Sequence, residues 1–195
     1  MKSPEQERGG VEIAKATIDD LRGISDVQRE GWLSTYPNEQ YGITTEDILT
    51  EDFHSVDRIE RRREIVGNPE SGTKFFVAKD GEVVIGYCCV QKEKDFNKLR
   101  ALYVLPAFQK QGIGRQLLER AFAFLDMTKP TKLNVAVYND NAIAFYEKMG
   151  FVRGRLFEKN PDGAFPSGRE IPEMEMEMGP MDTSQKEGVT KNATF

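Results

Sequence analysis

Two glycines separated by one residue lie where an apolar strand gives way to an amphipathic helix. Gly112 and Gly114 follow the apolar run 98–105 and precede apolar residues that recur at helical spacing. Glycine at such a junction lets the backbone approach a ligand closely and lets successive amides converge. The first amides of a helix have no partners within the helix, and the helix dipole adds partial positive charge there. Lys110 and Arg115 add full charges at the rim, so the junction predicts a diphosphate cradle.

The residues around this junction argue against two common phosphate-binding loops. A Walker loop continues with Gly-Lys-Ser/Thr, whereas Gly114 is followed by Arg115 and Gln116. The dinucleotide fingerprint needs glycine or alanine three residues after its second glycine, and here that residue is Leu117. A Gly-x-Gly turn alone is weak evidence for a ligand, because a tight strand–helix connection also explains it.

A second group of residues able to bind a ligand or donate a proton follows at positions 133–151. Asn139 precedes a helical pattern, where its side chain can cap the helix or hydrogen-bond a ligand. Tyr146 lies beside Phe145 on an apolar helix, and composition alone favours a core or rim position for it. Gly150 suits the left-handed residue that ends a helix.

Taken together, the two motifs resemble those of the GNAT superfamily of N-acetyltransferases. The segment Gln109-Lys110-Gln111-Gly112-Ile113-Gly114 matches the superfamily pattern Gln/Arg-x-x-Gly-x-Gly/Ala, which binds acetyl-CoA. The preceding Leu102-Tyr103-Val104 resembles the strand whose backbone pairs with the pantetheine arm. The second motif is matched by Leu133-Asn134-Val135, by Asn139 and by Phe145-Tyr146-Glu147-Lys148-Met149-Gly150-Phe151. A looser resemblance covers roughly residues 10–180, including Trp32 and Tyr36 after the first helix.

The resemblance implies an α/β fold of the GNAT type, with a mixed, mostly antiparallel sheet and helices on both faces. It implies an enzyme in which a primary amine of a small molecule, peptide or protein attacks the thioester of acetyl-CoA directly; a longer acyl donor is left open. Tyr146 would act as the general acid that protonates the leaving thiolate. The residues implied to bind acetyl-CoA are Leu102, Tyr103, Val104, Gln109, Lys110, Gln111, Gly112, Ile113, Gly114, Arg115 and Asn139. The alternative is a non-catalytic module that binds or senses acyl-CoA.

The group that accepts the proton of the amine is not assigned by the sequence. A lysine-like amine is only about 0.1% neutral near pH 7.4, which costs roughly 4 kcal/mol. Some members of the superfamily use a glutamate on the strand after the acetyl-CoA helix, but the matching residue is Asn134, which is not a base. His54 is the only histidine and has a suitable pKa, yet an exposed loop position is the favoured interpretation.

A turn-rich loop at 159–170 is the expected border of the acceptor site. In the superfamily this loop often contacts the acceptor, so Phe165 and Arg169 are candidates for that contact. The run Arg61-Arg62-Arg63 lies on a predicted helix and points around most of its circumference, which favours a solvated face over a binding patch.

The elements that position these residues follow the order β-α-α-β-β-β-α-β-α-β-β. A hairpin is predicted from strands at 74–79 and 83–90 with Asp80-Gly81 as its two-residue turn. One helical region is predicted over 45–66. The alternating stretch 173–178 predicts a half-buried strand with its methionines inward. Cys88 and Cys89 are adjacent on a strand and should point to opposite faces, so a disulfide between them is not expected.

Composition limits the number of domains and the classes of partner that remain possible. The 195 residues suit one domain, predicted at 10–180 with flexible tails at 1–9 and 181–195. With 27 Lys and Arg against 32 Asp and Glu, the net charge of −5 argues against non-specific nucleic-acid binding. Two adjacent cysteines and one histidine predict no metal site. The absence of an apolar segment of membrane-spanning length predicts a cytoplasmic protein with no membrane partner, and an exposed sheet edge leaves a homodimer open.

Overall fold

All seven strands of the chain join one sheet in the computed structural model, which describes residues 10–157, 159–160 and 163–181. The strands are β1 Glu12–Lys15, β2 Thr73–Asp80, β3 Val83–Lys92, β4 Asn97–Val104, β5 Thr131–Ala136, β6 Val152–Leu156 and β7 Glu173–Met178. The helices are α1 Leu21–Thr35, α2 Thr45–Leu49, α3 Val56–Gly67, α4 Ile113–Phe122 and α5 Asp140–Lys148. The predicted tails, apart from Met181, lie outside the described residues.

The sheet has the order β1-β2-β3-β4-β5-β7-β6 and is antiparallel except between β4 and β5. This confirms the predicted mixed, mostly antiparallel sheet. The parallel pair is connected through α4, whose apolar stripe of Leu117, Leu118 and Ala121 is fully buried. The stripe packs on the face of the sheet that carries Ile85 and Cys88. On the opposite face, α1 and α3 cover residues of β2 and β3 that include Val77, Tyr87 and Cys89.

Adjacent positions on β3 and β7 face opposite ways, as alternation predicted. Cys88 and Cys89 belong to different core clusters and both are free thiols. The methionines of β7 are buried, which confirms their predicted inward orientation. Glu173 departs from that pattern, because it is only 9% exposed although the alternation placed it outward.

Two local predictions are wrong in detail. The region 45–66 is not one helix. Thr44 caps α2 by accepting from the Asp47 amide, and Ser55 caps α3 by accepting from the Arg58 amide, so the chain restarts a helix at Val56. In the hairpin, Asp80 pairs with Val83, so the turn residues are Gly81 and Glu82. A register shift between Ala78 and Lys79 accounts for the displacement.

The strands β4 and β5 separate soon after they begin. They pair only at Asn97–Thr131 and Lys98–Lys132. Asn97 is fully buried, and its side-chain amide donates to the carbonyl of Asp126 at 2.8 Å, which fixes the closed end of the pair. Beyond that point no strand of the described residues pairs with the β5-facing edge of β4. The fold therefore opens a wedge in the middle of its own sheet.

Candidate active site

A cavity of about 770 Å³ lies in the wedge between β4 and β5. Leu102 and Tyr103 line it from β4, Val135 from β5, and Asn139 and Tyr146 from the start and middle of α5. It continues past Trp32 and Tyr36 of α1 toward α3. Backbone groups on an open strand edge must hydrogen-bond water or a ligand, so the wedge suits an extended ligand bearing amides.

The loop that the sequence predicted to be a diphosphate cradle lies between β4 and α4. Gly112 precedes α4 with φ of 81°, a left-handed conformation that favours glycine, and Lys110 also has a positive φ of 61°. No recorded backbone hydrogen bond of the described residues uses an N–H of residues 110–115. The first turn of α4 likewise has no side-chain cap. This loop therefore presents amide donors and the positive end of a helix dipole to an anion.

The polar side chains of the cradle do not all point toward a ligand. Gln109 Nε2 donates to the carbonyl of Val104 at 2.9 Å, and Gln111 Nε2 donates to that of Ala107 at 3.2 Å. Arg115 Nε donates to Glu119 at 2.8 Å on the exposed surface of α4. These contacts brace the loop. That residues 109–115 bind acetyl-CoA stays a prediction. It rests more on their backbone amides than on these side chains.

The start of α4 lies directly against the helix that carries Tyr146. A Cβ on Gly114 would lie 3.8 Å from the ring of Phe145 and 4.0 Å from Val104. Phe145 in turn contacts Tyr146, with ring centroids 5.3 Å apart. The cradle, the end of β4 and the predicted acid are thus held in one packed unit, and only small residues fit at position 114.

Tyr146 is buried in the core yet lines the cavity. Its ring packs edge-on against Phe145 and Phe151, and its side chain is 8% exposed. Burial raises the pKa of Tyr146, and Cys88 and Tyr103 add smaller effects in the same direction. The hydroxyl is therefore protonated at neutral pH, the state in which a general acid must start.

Asn139 caps a helix and also lines the cavity, so the structure is compatible with both of the roles that the sequence left open. Its Oδ1 accepts from the Ala142 amide at 3.1 Å, so it caps α5. It also lines the cavity, so the side-chain NH₂ is placed to reach a ligand there. The cap is a structural fact, while ligand binding by Asn139 stays a prediction.

Aromatic side chains surround the part of the cavity that faces α1. The hydroxyls of Tyr36 and Tyr103 lie 2.8 Å apart, and Tyr138 donates to the carbonyl of Tyr36 at 2.8 Å. Trp32 packs edge-on against Tyr36 with centroids 5.1 Å apart. Burial raises the pKa of Tyr36 well above its usual value and that of Tyr138 to about 12, and Glu173 contributes to both shifts.

Glu173 is a candidate functional residue that sequence reasoning missed. It is the first residue of β7, opposite Ala136 of β5, and it is one of the residues that line the cavity. Its Oε2 atom is shielded from solvent, and its charge acts on the hydroxyls of Tyr36 and Tyr138. The Glu-Met alternation concealed this position, because the first residue of a strand can turn inward without disturbing the residues that follow.

The other candidates for a base are poorly placed. Asn134 lines the cavity but has no basic group. His54 is exposed and lies outside the cavity, with its Nε2 2.8 Å from Asp26 Oδ1. This agrees with the loop position favoured for it. Among the described residues, a buried carboxylate at Glu173 is the better-placed proton acceptor.

Phe165 and Arg169, the two residues predicted to border the acceptor site, have different positions. Phe165 is 8% exposed and lines the cavity. Arg169 points away from the cavity and makes an ion pair with Asp47, with Nη1 3.1 Å from both carboxylate oxygens. Arg169 thus fastens the loop before β7 to α2. Contact between Arg169 and an acceptor is not supported by this placement.

Gly31 determines where the ring of Tyr103 can lie. A Cβ at this position of α1 would be 2.6 Å from Cδ1 of Tyr103, closer than a side chain tolerates. The glycine therefore lets the ring approach α1 and reach Tyr36. Nothing in the apolar pattern of α1 distinguished this glycine from an ordinary surface position.

The run Arg61-Arg62-Arg63 is only partly the solvated face that was expected. Arg61 and Arg63 are exposed, but Arg62 is 7% exposed and donates to Ser25 and Gln28 of α1. The prediction is wrong for Arg62, because α3 packs against α1 along the side that carries it.

The described residues contain no helix whose length and apolar character would suit a membrane crossing. They also contain no cluster of three His, Cys, Asp or Glu side chains arranged to hold a metal ion.

Comparison with known proteins agrees with this geometry. Residues 71–153 match the family model of the acetyltransferase (GNAT) domain. A spermidine N(1)-acetyltransferase from Thermoplasma acidophilum is 26% identical over 147 residues, which cover 72% of this chain and 88% of that protein.

Solved structures show the same fold. The crystal structure of PaiA N-acetyltransferase from Thermoplasma acidophilum in complex with coenzyme A has a TM-score of 0.65 at 24% identity, covering 88% of this chain and 99% of that one. The ribosomal-protein-S18-alanine N-acetyltransferase from Escherichia coli has a TM-score of 0.59 at 18% identity, covering 95% and 100%. The two motifs, the family match over residues 71–153, the curated relative and the shared fold all indicate a GNAT-superfamily N-acetyltransferase, an enzyme that transfers an acetyl group from acetyl-CoA to an amine.

Proposed function

We propose that this enzyme holds acetyl-CoA along the open edge of β4 and transfers its acetyl group to a primary amine, with Glu173 as the proton acceptor and Tyr146 as the proton donor. The observation that carries the proposal is the single cavity in which the β4 edge, Tyr146 and Glu173 meet. No metal takes part in the proposed chemistry, because a tyrosine and a carboxylate provide both proton transfers.

The donor fits the residues that are present. The amides of 110–115 and the start of α4 would bind the diphosphate, and the open edge of β4 at Leu102–Val104 would pair with the amides of the pantetheine arm. Amides of the same edge would polarise the thioester carbonyl as charge develops on its oxygen. Asn139 would add a side-chain hydrogen bond to the arm.

The reaction is balanced by two proton transfers. Glu173 accepts a proton from the ammonium group of the acceptor, directly or through water, and the neutral nitrogen then bonds to the acetyl carbon. As the carbon–sulfur bond breaks, its electron pair stays on sulfur, and the Tyr146 hydroxyl donates a proton to that thiolate. The nitrogen loses its remaining extra proton to solvent, Tyr146 is reprotonated from solvent, and Glu173 releases its proton to solvent, leaving an amide, free CoA thiol and the enzyme in its starting state.

The energies of these steps are within reach of the site. Moving a proton from an ordinary tyrosine to an ordinary thiolate is uphill by roughly 2 kcal/mol. Burial raises the pKa of Tyr146, but it raises the pKa of a thiol in the same surroundings too, as it does for Cys88. The difference in pKa between the tyrosine and the thiol therefore does not grow in proportion to the burial of either group.

A module that binds acyl-CoA without turnover is the contrasting function. It would need the cradle and the wedge, but it would not need a buried carboxylate and a buried tyrosine hydroxyl in the same cavity. Their presence together at the wedge favours catalysis.

The test is initial-rate release of thiol from acetyl-CoA across a panel of amines, amino acids, polyamines and peptides. Tyr146→Phe should lower kcat by about 100-fold or more with unchanged affinity for acetyl-CoA, because only proton donation is removed. Tyr41→Phe is the matched control, since Tyr41 stacks on Tyr138 outside the cavity. Tight binding of acetyl-CoA without thiol release for any amine would favour the sensing module.

The name of the curated relative makes a polyamine one acceptor that the panel must include. A polyamine is a chain of ammonium groups, and it would require a cavity whose walls are acidic or aromatic. The aromatic cluster around Tyr36 meets that requirement, whereas the wall formed by α3 does not.

We propose three further features of the enzyme. Residues 10–180 would act as one catalytic domain. Two buried, free cysteines are consistent with a reducing compartment, which supports the cytoplasm. The strand β6 is the edge of the sheet and exposes Val152 and Leu156, which supports pairing with a second copy. Light scattering at several concentrations tests the dimer.

A further inference from the structure

The cavity has a basic end, distant from the wedge. It extends across β3 to α3, where the cations that line it are Arg58, Arg61, Arg62, Lys98 and Arg100. The carboxylates on this wall are Glu51 and Asp57, and Glu51 is already paired with Arg58 at 3.0 Å. Among the described residues, the carboxylates of this wall therefore do not balance its positive charge.

Arg62 is the residue that makes this end of the cavity unusual. It is 93% buried, and its recorded hydrogen bonds go to two neutral groups, Ser25 Oγ and Gln28 Oε1. Among the described residues it has no carboxylate partner, and the cation Arg58 acts on its charge. Burial is the main cause that lowers the pKa of Arg62, and Arg58 lowers it further.

A buried guanidinium without a counter-ion is costly, which suggests that a ligand provides one. Burying a charge is unfavourable unless it is paired, so buried arginines are normally matched to carboxylates or phosphates. The guanidinium has five donors in a planar fork that suits a carboxylate, and two of its nitrogens already have neutral partners that hold it in place. Arg62 is therefore pre-oriented on α3 and lines the cavity with donors to spare.

We propose that Arg62 binds a carboxylate of the acceptor, so that the preferred acceptor is a small primary amine that carries a carboxylate several bonds from its nitrogen. This deepens the proposed function and rests on it, because the same cavity must hold the amine at the wedge. The acceptor class that it disfavours is the polyamine, whose extra ammonium groups would meet Arg61, Arg62 and Arg100.

The sheet sets the distance between the two ends of such an acceptor. Arg62 lies over β3, close enough to Tyr87 and Cys89 for them to act on its charge. The thioester is proposed to lie beyond β4, and neighbouring strands are about 4.8 Å apart. The amine and the carboxylate are then separated by roughly 7–10 Å. An ω-amino carboxylate of five or six carbons, or lysine reacting at its side chain, spans that distance, whereas glycine does not.

The experiment compares three terminal amines of matched length: aminohexanoate, hexylamine and diaminohexane, with glycine as the acceptor whose groups are too close. Thiol release is measured for wild type, for Arg62→Gln and for the control Arg63→Gln, an exposed neighbour on α3 that pairs with Glu60. Wild type and the control should prefer aminohexanoate over hexylamine by about 100-fold in kcat/KM. Arg62→Gln should lose that preference while hexylamine turnover is unchanged.

Two results would overturn the inference. Equal or better turnover of hexylamine or diaminohexane by wild type would show that no carboxylate is recognised. An equal loss for all acceptors in Arg62→Gln would show that Arg62 only fastens α3 to α1. If Arg62→Gln does not fold, wild type decides alone, through its preference for aminohexanoate over hexylamine. In both cases wild type still acetylates amines, whereas binding of acetyl-CoA by wild type without turnover of any amine is a failure of the proposed function itself.

Discussion

The two halves of the cavity are constructed in different ways. The donor half, defined as the β4 edge from Leu99, the loop 109–115 and the first turn of α4, comes from one continuous stretch of chain. The acceptor half, defined as the cavity walls from α1, α3, residues 163–171 and the start of β7, joins distant segments. One hydrogen bond within it, from Arg62 of α3 to Ser25 of α1, links residues 37 positions apart.

This difference explains why the donor is easier to identify than the acceptor. A continuous loop between a strand and a helix keeps its geometry wherever its glycines are kept, because backbone amides do the binding. A surface assembled from four segments changes whenever one of them changes length or register. We therefore expect substitutions in the donor half to alter the kinetics of acetyl-CoA, and substitutions in the acceptor half to alter those of the amine.

Among substitutions within the two halves, the largest effect is expected for Glu173→Gln, which removes the proposed base from the acceptor half. At pH 7 kcat/KM for the amine should fall by about 100-fold, because the ammonium group loses its proton acceptor. The deficit should shrink as pH rises toward the acceptor's own pKa of about 10, since the free amine then forms without help. Glu175→Gln, on the partly exposed part of β7, is the control. A deficit that is constant from pH 7 to 10 would argue against a base.

The next largest effect is expected for Gly112→Ala in the donor half. The φ of 81° disfavours alanine by about 1–2 kcal/mol, so the loop should relax and its amides lose their alignment. The KM for acetyl-CoA should rise about 10-fold with little change in the KM for the amine. Gly67→Ala, at the end of α3 with open space around it, is the control. An altered amine KM with a normal acetyl-CoA KM would contradict the division into halves.

A smaller effect is expected for Gly31→Ala, which crowds the acceptor half without touching a reacting group. The new Cβ would displace the ring of Tyr103 and with it the hydrogen bond to Tyr36. The KM for the amine should rise roughly 5-fold, because the ring of Tyr103 belongs to the aromatic side chains that surround the acceptor part of the cavity. Acetyl-CoA affinity should change less, because only the backbone of Tyr103 belongs to the donor half. Gly179→Ala, beyond β7 with nothing nearby, is the control. Isothermal titration with each substrate separates the two affinities.

The smallest effect on turnover is expected for Asp47→Asn, which releases the loop before β7 from α2. The hydrogen bond from Ser167 is the largest cause that lowers the pKa of Asp47, to about 2 from 3.8. Because the folded pKa is the lower one, the stabilisation is present above about pH 4 and is lost as pH falls through 2. Asp47→Asn should therefore lower Tm at pH 7 and match wild type near pH 2. Glu46→Gln, an exposed neighbour, should leave Tm unchanged at both pH values.

The sequence predicted what depends on local patterns. Helix and strand order, the burial of the methionines of β7 and the junction at Gly112 all follow from periodicity or from turn chemistry within a few residues. The predictions that fail depend on long-range packing. The burial of Arg62 against α1 and the burial of Glu173 beside β5 depend on packing between distant segments, which no periodicity within their own segments reports.

The central claim is that acetyl-CoA and the amine meet in the wedge between β4 and β5, beside Tyr146 and Glu173. The most direct test is a crystal structure with a bisubstrate conjugate that joins coenzyme A through its sulfur to an amine acceptor. The account predicts the diphosphate at the amides of 110–115, the sulfur within hydrogen-bond distance of the Tyr146 hydroxyl and the acceptor nitrogen beside Glu173. A conjugate whose sulfur lies outside the wedge, or whose acceptor arm avoids the cavity that reaches α3, would contradict it.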